Sequence, residues 1–367
     1  EQKHVGLFEL PGVLTGAFEG NHRGYYFLTG LLFFFTGSPA RLPAAALNCL
    51  FGALTVVFTY RMARSIFSEY VAERVGWFAC FFPSLIIWSA QTLKEPVVIF
   101  LETVALYGCV QLKKSGFSLR HVALCASTIV LLIPFRFYAS YIVGAAVVLA
   151  LVIPQVSKQR LTLGSAIAVA GIVIPILVGT GILAQHEAMF EQFDLARIEK
   201  FRSDISGGTG SGVASTYDLN TTGGLAMGTA VGGAHLLLAP FPWQLGVSLR
   251  AVLTLPELLV WWWLFFAGVV PGLWHSLKRR FNDIQPILFF MLTLGLLYSM
   301  MFGNVGLVFR QRAQLLPWLL IFAMVGLEVR RKRHKVAELP HPIHLSVEPR
   351  SQAAGRSTFT TSGSNPV

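Results

Sequence analysis

Four cations stand where the charge pattern of this chain gives no reason for them: Lys94, Arg136, Arg310 and Arg312. Each falls at an end of an apolar stretch opposite to the ends that carry the clusters Arg61/Arg64/Arg74, Lys113/Lys114/Arg120, Lys158/Arg160, Lys278/Arg279/Arg280 and the run from Arg330 to Lys335. Arginine is charged at every accessible pH and grips phosphate through two parallel N–H bonds. Guanidinium groups gathered at one end of a set of apolar segments therefore point to capture of a phosphate carried on a lipid. The bland reading is arginine at helix ends, its stem in the apolar layer and its head in water. Two carboxylates accompany the cations. Glu95 follows Lys94 directly, and Glu102 lies two helical turns further on, on the same helix face and inside an apolar run. An acid in such a place is a functional candidate because it is costly to insert.

The elements that must hold these residues are membrane helices. Of 367 residues, 54% are hydrophobic and 13% charged, and mean hydropathy is +0.61. That excludes a soluble globular domain. Runs near the ~20 apolar residues a bilayer requires are expected at 42–60, 76–93, 96–113, 121–135, 137–154, 163–184, 256–277, 284–303 and 313–329. This predicts an all-α polytopic bundle of about nine spans, since a lone helix satisfies its own backbone in lipid. Only Phe135 and Arg136 separate the fourth and fifth runs, so these two could instead form a tight pair dipping to one face.

Lysine and arginine accumulate in cytoplasmic connections, so the five basic clusters are assigned to the cytoplasm and the stranded cations to the outer face. The bias comes out right only if the apolar run at 25–37 does not cross; it reads as an interfacial helix. The expected organisation is an external loop with that helix at 1–41, an N-terminal membrane bundle at 42–184, an external region at 185–255, C-terminal membrane helices at 256–329 and a disordered cytoplasmic tail at 330–367. A chain that begins outside without an initiator Met is expected to be the downstream piece of a longer one.

Several chemistries find no support in the residues. The net charge of +11 sits mostly beside membrane spans, where anionic lipid is the natural neighbour, and nothing points to nucleic acid. Cys49, Cys80, Cys109 and Cys125 lie within apolar runs without metal or dithiol spacing. His22, His186 and His235 show no ligand spacing, so no metal site is expected. The SGGTGSG run lacks the Lys-Ser or Lys-Thr ending of a phosphate loop and reads as a linker. Pro240, Phe241, Pro242 and Trp243 form a rigid aromatic turn suited to the membrane interface.

The pattern resembles GT-C glycosyltransferases of family 39, the protein O-mannosyltransferase and aminoarabinose-transferase branch. GYYFLTGLLFFFTGSPARL followed by LNCLFGALTVVFTYRMARSIF resembles that family's second-span region, and FFPSLIIWSAQTLKEPVVIFL its third and fourth spans. Residues 20–155 carry most of the likeness, with PFPWQ and GNVGLVFRQR similar to bacterial members. The resemblance implies an enzyme of the bacterial inner membrane that moves a hexose or pentose from a polyprenyl-phosphate carrier to a glycan, lipid or protein acceptor on the outer face. It implies that Lys94, Arg136, Arg310 and Arg312 hold the donor phosphate while Glu95 orders the pocket. No cofactor is expected, and a divalent metal stays compatible with the chemistry. The family's catalytic base is an Asp or Glu of the first external loop. Here that loop carries only Glu1, Glu9 and Glu19, so the base is expected upstream of residue 1, with Glu19 and Glu95 the candidates within the chain. The rival expectations are a lipid-linked polysaccharide polymerase or ligase, and a transporter or flippase.

Overall fold

A computed structural model of the chain describes residues 23–153, 159–179, 195–207, 212–213, 217–244 and 249–337. Glu1, Glu9, Glu19, His22, Lys158, His186 and the tail beyond 337 lie outside the described residues. The described residues are mostly helical. The one β contact among them is an isolated bridge between Gly212 and Asn304. The polytopic all-α class read from the composition is the class observed.

The helices are α1 (Arg23–Thr36), α2 (Arg41–Ile66), α3 (Glu69–Phe81), α4 (Pro83–Ser89), α5 (Glu95–Ser115), α6 (Leu119–Leu132), α7 (Phe137–Val152), α8 (Gln159–Gly179), α9 (Leu195–Gly207), α10 (Thr222–Leu238), α11 (Leu249–Leu264), α12 (Val270–Arg279), α13 (Phe281–Met300) and α14 (Val305–Ala337). Among the described residues five helical stretches are long and apolar enough to cross a membrane: α2, α5, the run Leu255–Arg279 through α11 and α12, α13, and α14. The run expected at 76–93 is broken: α3 and α4 meet at 55°. Proline causes the break, because Pro83 has no N–H to continue the ladder and holds Phe82 extended at φ −70°, ψ 117°. Counted as one span, the pair raises the number to six. The remaining apolar helices, Leu119–Leu132, Phe137–Val152 and Leu163–Val178, are too short to qualify, so length and composition support fewer crossings than the nine expected.

A second proline leaves a milder mark. Ahead of Pro271 the helix widens into a π-turn over Phe265–Val269, and the Val270 N–H bonds to the Phe265 carbonyl. The two halves stay collinear enough to form one long element. It packs closely on α14, since a Cβ placed on Gly272 would lie 1.8 Å from the Phe322 carbonyl oxygen.

Helices α5 and α14 form the interior. In each, 83% of the apolar window is buried, against 22% for α2. Their polar residues face other protein groups, which is why this interior can contain Glu102, Arg312 and Gln314 at no more than 1% exposure. Helix α1 buries only Gly24 and Tyr25 and leaves Phe34 and Phe35 more than three-quarters exposed.

The two ends of the bundle are held by different contacts. At one end Arg64 pairs with Glu69 at 2.7 Å, and the Ser68 hydroxyl donates to Glu328 at 2.8 Å. Lys113, part of a basic cluster that the sequence assigns to a cytoplasmic connection, is 2% exposed there, donating to the Ala150 carbonyl at 2.7 Å and to the Gln285 amide oxygen. At the other end the stranded cations are found.

Candidate functional site

Arg136 occupies the turn between α6 and α7. Its N–H bonds to the Leu132 carbonyl at 2.8 Å, and its backbone, at φ −159° and ψ 87°, is not helical. Helix α7 restarts immediately, so the guanidinium is aimed from a short, fixed turn into the space between α5, α13 and α14. One terminal nitrogen, Nη1, donates to the Tyr298 hydroxyl at 2.8 Å and to Gln314 Oε1 at 2.5 Å. The other, Nη2, reaches Glu95 Oε1 at 3.1 Å. Arg136 and Glu95 are both below 10% exposed, so this pair is shielded from water and from salt.

Glu95 opens α5, where a carboxylate also favours the helix dipole. The same oxygen that accepts from Arg136 accepts from Arg310 Nε at 3.4 Å. Two guanidinium groups thus share one carboxylate oxygen, and the local sum is positive before Lys94 is counted. Arg310 differs from Arg136 in access: its side chain is 36% exposed.

Below this layer the polar chain continues into the interior. Tyr298 donates its hydroxyl to Gln314 Oε1, and the Gln314 amide Nε2 donates to Glu102 Oε1 at 3.0 Å. Three buried atoms in this chain have no hydrogen-bond partner among the described residues: Glu95 Oε2, Glu102 Oε2 and Arg136 Nε. Sequence reasoning placed Glu95 and Glu102 on one helix face, and the structure links them through Gln314 and Arg136. It missed Gln314 and Tyr298. Gln314 was discoverable, being four residues after Arg310 and hence on its face of the helix; Tyr298 carried no signal within an apolar run.

Arg312 lies apart. Two residues on from Arg310 it emerges on the other flank of α14, donating Nη1 to the Ala239 carbonyl at 2.7 Å. Its guanidinium sits over the rings of Trp261 at 5.4 Å and Phe309 at 4.7 Å. On that flank a buried carboxyl also appears, Glu257, which accepts from the Ser84 hydroxyl at the start of α4. The four cations therefore form a group of three, Lys94, Arg136 and Arg310, with Arg312 in separate surroundings.

Lys94 precedes α5 and is half-buried. Burial, reinforced by the Arg136 and Arg310 charges against the opposing pull of Glu95, pushes its amine down to about 7. Its charge thus changes near neutral pH.

Beside Arg310 a cleft of about 530 Å³ opens at this end of the bundle. Its walls come from the α4–α5 connection (Trp88, Gln91, Leu93), from α9 (Asp204, Ile205) and from the start of α14 (Asn304, Gly306, Leu307, Arg310). Asn304 caps α14, its Oδ1 accepting the Leu307 N–H at 3.1 Å, so the positive end of that helix faces this wall. The connection bearing Gln91 and Leu93 is fixed by Asn48 of α2, whose Nδ2 donates to the Gln91 carbonyl at 2.6 Å and the Leu93 carbonyl at 2.8 Å. Asn48 also donates to the Tyr25 hydroxyl at 3.0 Å, which ties α1 to the site. Trp88 additionally lines an apolar cavity of about 240 Å³ that runs between α2, α4 and α5. Among the described residues no three His, Cys, Asp or Glu side chains converge in a way that would hold a metal.

No protein-family model matches the sequence, and no curated protein matches it. Solved structures do. The oligosaccharyltransferase of Archaeoglobus fulgidus in its apo form aligns with a TM-score of 0.51 at 14% identity, over 85% of this chain and 43% of that one. The archaeal oligosaccharyltransferase AglB from the same organism, in complex with an inhibitory peptide and a dolichol-phosphate, aligns with a TM-score of 0.50 at 14% identity, covering 85% and 42%. ArnT from Cupriavidus metallidurans, bound to undecaprenyl phosphate, gives a TM-score of 0.50 at 14% identity, covering 85% and 51%. The chain spans about half the length of these structures or less. The likeness establishes the fold, which is that of GT-C membrane glycosyltransferases.

Proposed function

We propose that the chain is the membrane part of a glycosyltransferase that takes a sugar from a polyprenyl-phosphate carrier and passes it to an acceptor hydroxyl at the outer face of a bacterial inner membrane. The observation that carries this reading is the group formed by Arg136, Arg310 and Glu95 beside a cleft lined by the positive end of α14. Two related folds were solved with a dolichol-phosphate and with undecaprenyl phosphate, which supports the same class of carrier here.

In this reading Arg310 makes the phosphate contact, since it is the exposed member of the pair. Arg136, enclosed by Glu95, Gln314 and Tyr298, holds Glu95 in place and adds its charge from behind. Glu95 is salt-bridged and buried, which suits a residue that orders arginines better than one that removes protons. Transfer breaks the bond between the anomeric carbon and the phosphate oxygen as the acceptor oxygen bonds to that carbon, and the proton of the acceptor hydroxyl passes to a carboxylate general base of the first external loop. The electron pair left on the phosphate is stabilised by Arg310 and by the α14 dipole, fixed in advance of the reaction. The isoprenoid chain would follow the apolar cavity past Trp88, where Val56, Ile86, Ile99 and Pro317 offer hydrocarbon walls.

The test is the affinity of the purified protein in nanodiscs for undecaprenyl phosphate, measured for the wild type and for Arg310→Ala. Loss of a charged hydrogen-bond partner is expected to weaken binding by about 1.5–3 kcal/mol. Equal affinity in both proteins would remove the phosphate from Arg310 and the proposal with it.

A further inference from the structure

A groove of about 950 Å³ runs along the bundle between α10, the α11–α12 run, α13 and α14. It shares no lining residue with the Arg310 cleft or with the cavity past Trp88. Its rims are apolar and turned outward: Phe266, Val270 and Trp274 on one side and Leu292 and Leu296 on the other are each about half exposed or more. Its floor is formed by Leu236, Leu315 and Leu319, none more than 3% exposed. A Cβ placed on Gly295 would meet nothing within 4 Å, so the α13 wall is open at that level. An apolar hollow of this kind does not hold water, and in a membrane helix bundle the material at hand to fill it is hydrocarbon.

The charge at one end decides which hydrocarbon. Among the described lining residues Arg330 is the one charged side chain, and it is exposed. Lys278, also exposed, holds its Nζ 4.3 Å from the ring centre of Trp274, which lines the same groove. Arg280 is set apart by Asp283 at 3.6 Å. The α14 wall runs from Arg330 back to Leu315, 15 residues away, which is about 22 Å of helix. That is half of the ~40–45 Å of a bilayer with its headgroups, the depth of one leaflet. We infer that the groove seats one anionic phospholipid of the leaflet at the Arg330 end, its acyl chains between α12 and α13 and its phosphate at Arg330 and Lys278. A helix of another protein would leave these cations unmatched, and a polyprenyl phosphate held by Arg310 carries its charge at the opposite end of α14. The cytoplasmic leaflet, where the basic clusters are assigned, is the one rich in anionic lipid. The inference is independent of the phosphate reading at Arg310.

The experiment titrates the delipidated full chain in detergent with phosphatidylglycerol and with phosphatidylcholine of the same acyl chains, and reads one-to-one complexes by native mass spectrometry. Wild-type protein is expected to bind phosphatidylglycerol about thirtyfold more tightly, the scale set by two basic residues at an anionic headgroup. The double variant Lys278→Gln with Arg330→Gln should bring phosphatidylglycerol down to the level of phosphatidylcholine. Gly295→Trp, which fills the open wall, should weaken both lipids. Arg310→Ala should change neither, and undecaprenyl phosphate should leave phosphatidylglycerol bound. Thermal unfolding of each variant shows that it is folded. Equal binding of the two lipids by wild-type protein, or a preference that survives the double variant, would overturn the site. Displacement by undecaprenyl phosphate would give the groove to the isoprenoid, and a dimer that Gly295→Trp dissociates would give it to a second copy of the chain; either overturns the inference. Phosphatidylglycerol lost in Arg310→Ala would place that lipid in the Arg310 cleft and overturn it as well.

Discussion

Arg136 and Arg310 share one carboxylate oxygen of Glu95, and the proposed function gives them different parts. Arg136 is the enclosed one, and removing it takes a charged donor from Glu95, Gln314 and Tyr298 inside the bundle and leaves Glu95 with Arg310 alone. Arg136→Ala is therefore expected to destabilise the protein by about 3–5 kcal/mol, the cost of breaking a buried pair. Tyr298→Phe removes one hydroxyl from the same network and should cost about 0.5–1.5 kcal/mol. Thermal unfolding in one detergent measures both, and a Tyr298→Phe loss as large as that of Arg136→Ala would contradict the hierarchy. Lys94 gives a pH signature. With its amine pushed down to about 7, raising pH above that value discharges the free protein, whereas a bound phosphate draws the amine back toward its ordinary value. Binding of undecaprenyl phosphate at pH 8 should then take up protons and weaken as pH rises. Calorimetry in two buffers of different ionisation heat reads the uptake, and Lys94→Met should reduce it. The sequence marked four cations as a group, because their violation of the charge bias is visible in one dimension, and the structure brings Lys94, Arg136 and Arg310 together. That Arg312 turns to the opposite flank is a matter of helical phase, and Asp204 was invisible because its neighbours in the cleft come from elements far apart in the chain.

Elements reach the site through short, rigid connections. Asn48 holds the α4–α5 connection by two backbone carbonyls and holds α1 by Tyr25, so one side chain sets the position of three segments. Asn48→Leu should leave both carbonyls without this donor, cost about 1–3 kcal/mol of stability and weaken the lipid. Gly24 makes the other attachment of α1. Its N–H bonds to the Pro134 carbonyl at 3.0 Å, and a Cβ there would lie 2.6 Å from the Pro134 Cβ. Gly24→Val should accordingly detach the start of α1, read as faster proteolysis within residues 23–36; unchanged cleavage would show that α1 is held elsewhere. Helix positions were largely legible, because apolar runs of membrane length announce themselves. The 55° break at Pro83 was not, although the proline was in view. A proline in a membrane helix is tolerated or disruptive according to what neighbouring helices supply, and that is decided by packing.

For the molecule as a whole, the charge asymmetry predicted from sequence corresponds to two physical ends. Arg64, Glu328 and Lys113 lie toward one, and Glu95, Arg136 and Arg310 toward the other. In the proposed orientation the basic clusters are cytoplasmic and the cleft faces outward. A membrane-impermeant thiol reagent applied to intact cells should label Gln91→Cys and spare Arg279→Cys in a background lacking the native cysteines, and the reverse pattern would invert the orientation. The GT-C fold was implied by the family resemblance that residues 20–155 carry, while the acceptor side of the reaction was not legible, since Glu1, Glu9 and Glu19 do not form the paired acidic motif that the resemblance calls for. The central claim is that a lipid phosphate is bound at Arg310. The most direct measurement is an electron cryomicroscopy structure of the protein in nanodiscs with undecaprenyl phosphate. The account predicts phosphate density within hydrogen-bonding distance of the Arg310 guanidinium, in the cleft between Trp88 and the start of α14. Phosphate density at the Lys278–Arg280 end, with the Arg310 cleft empty, would contradict it.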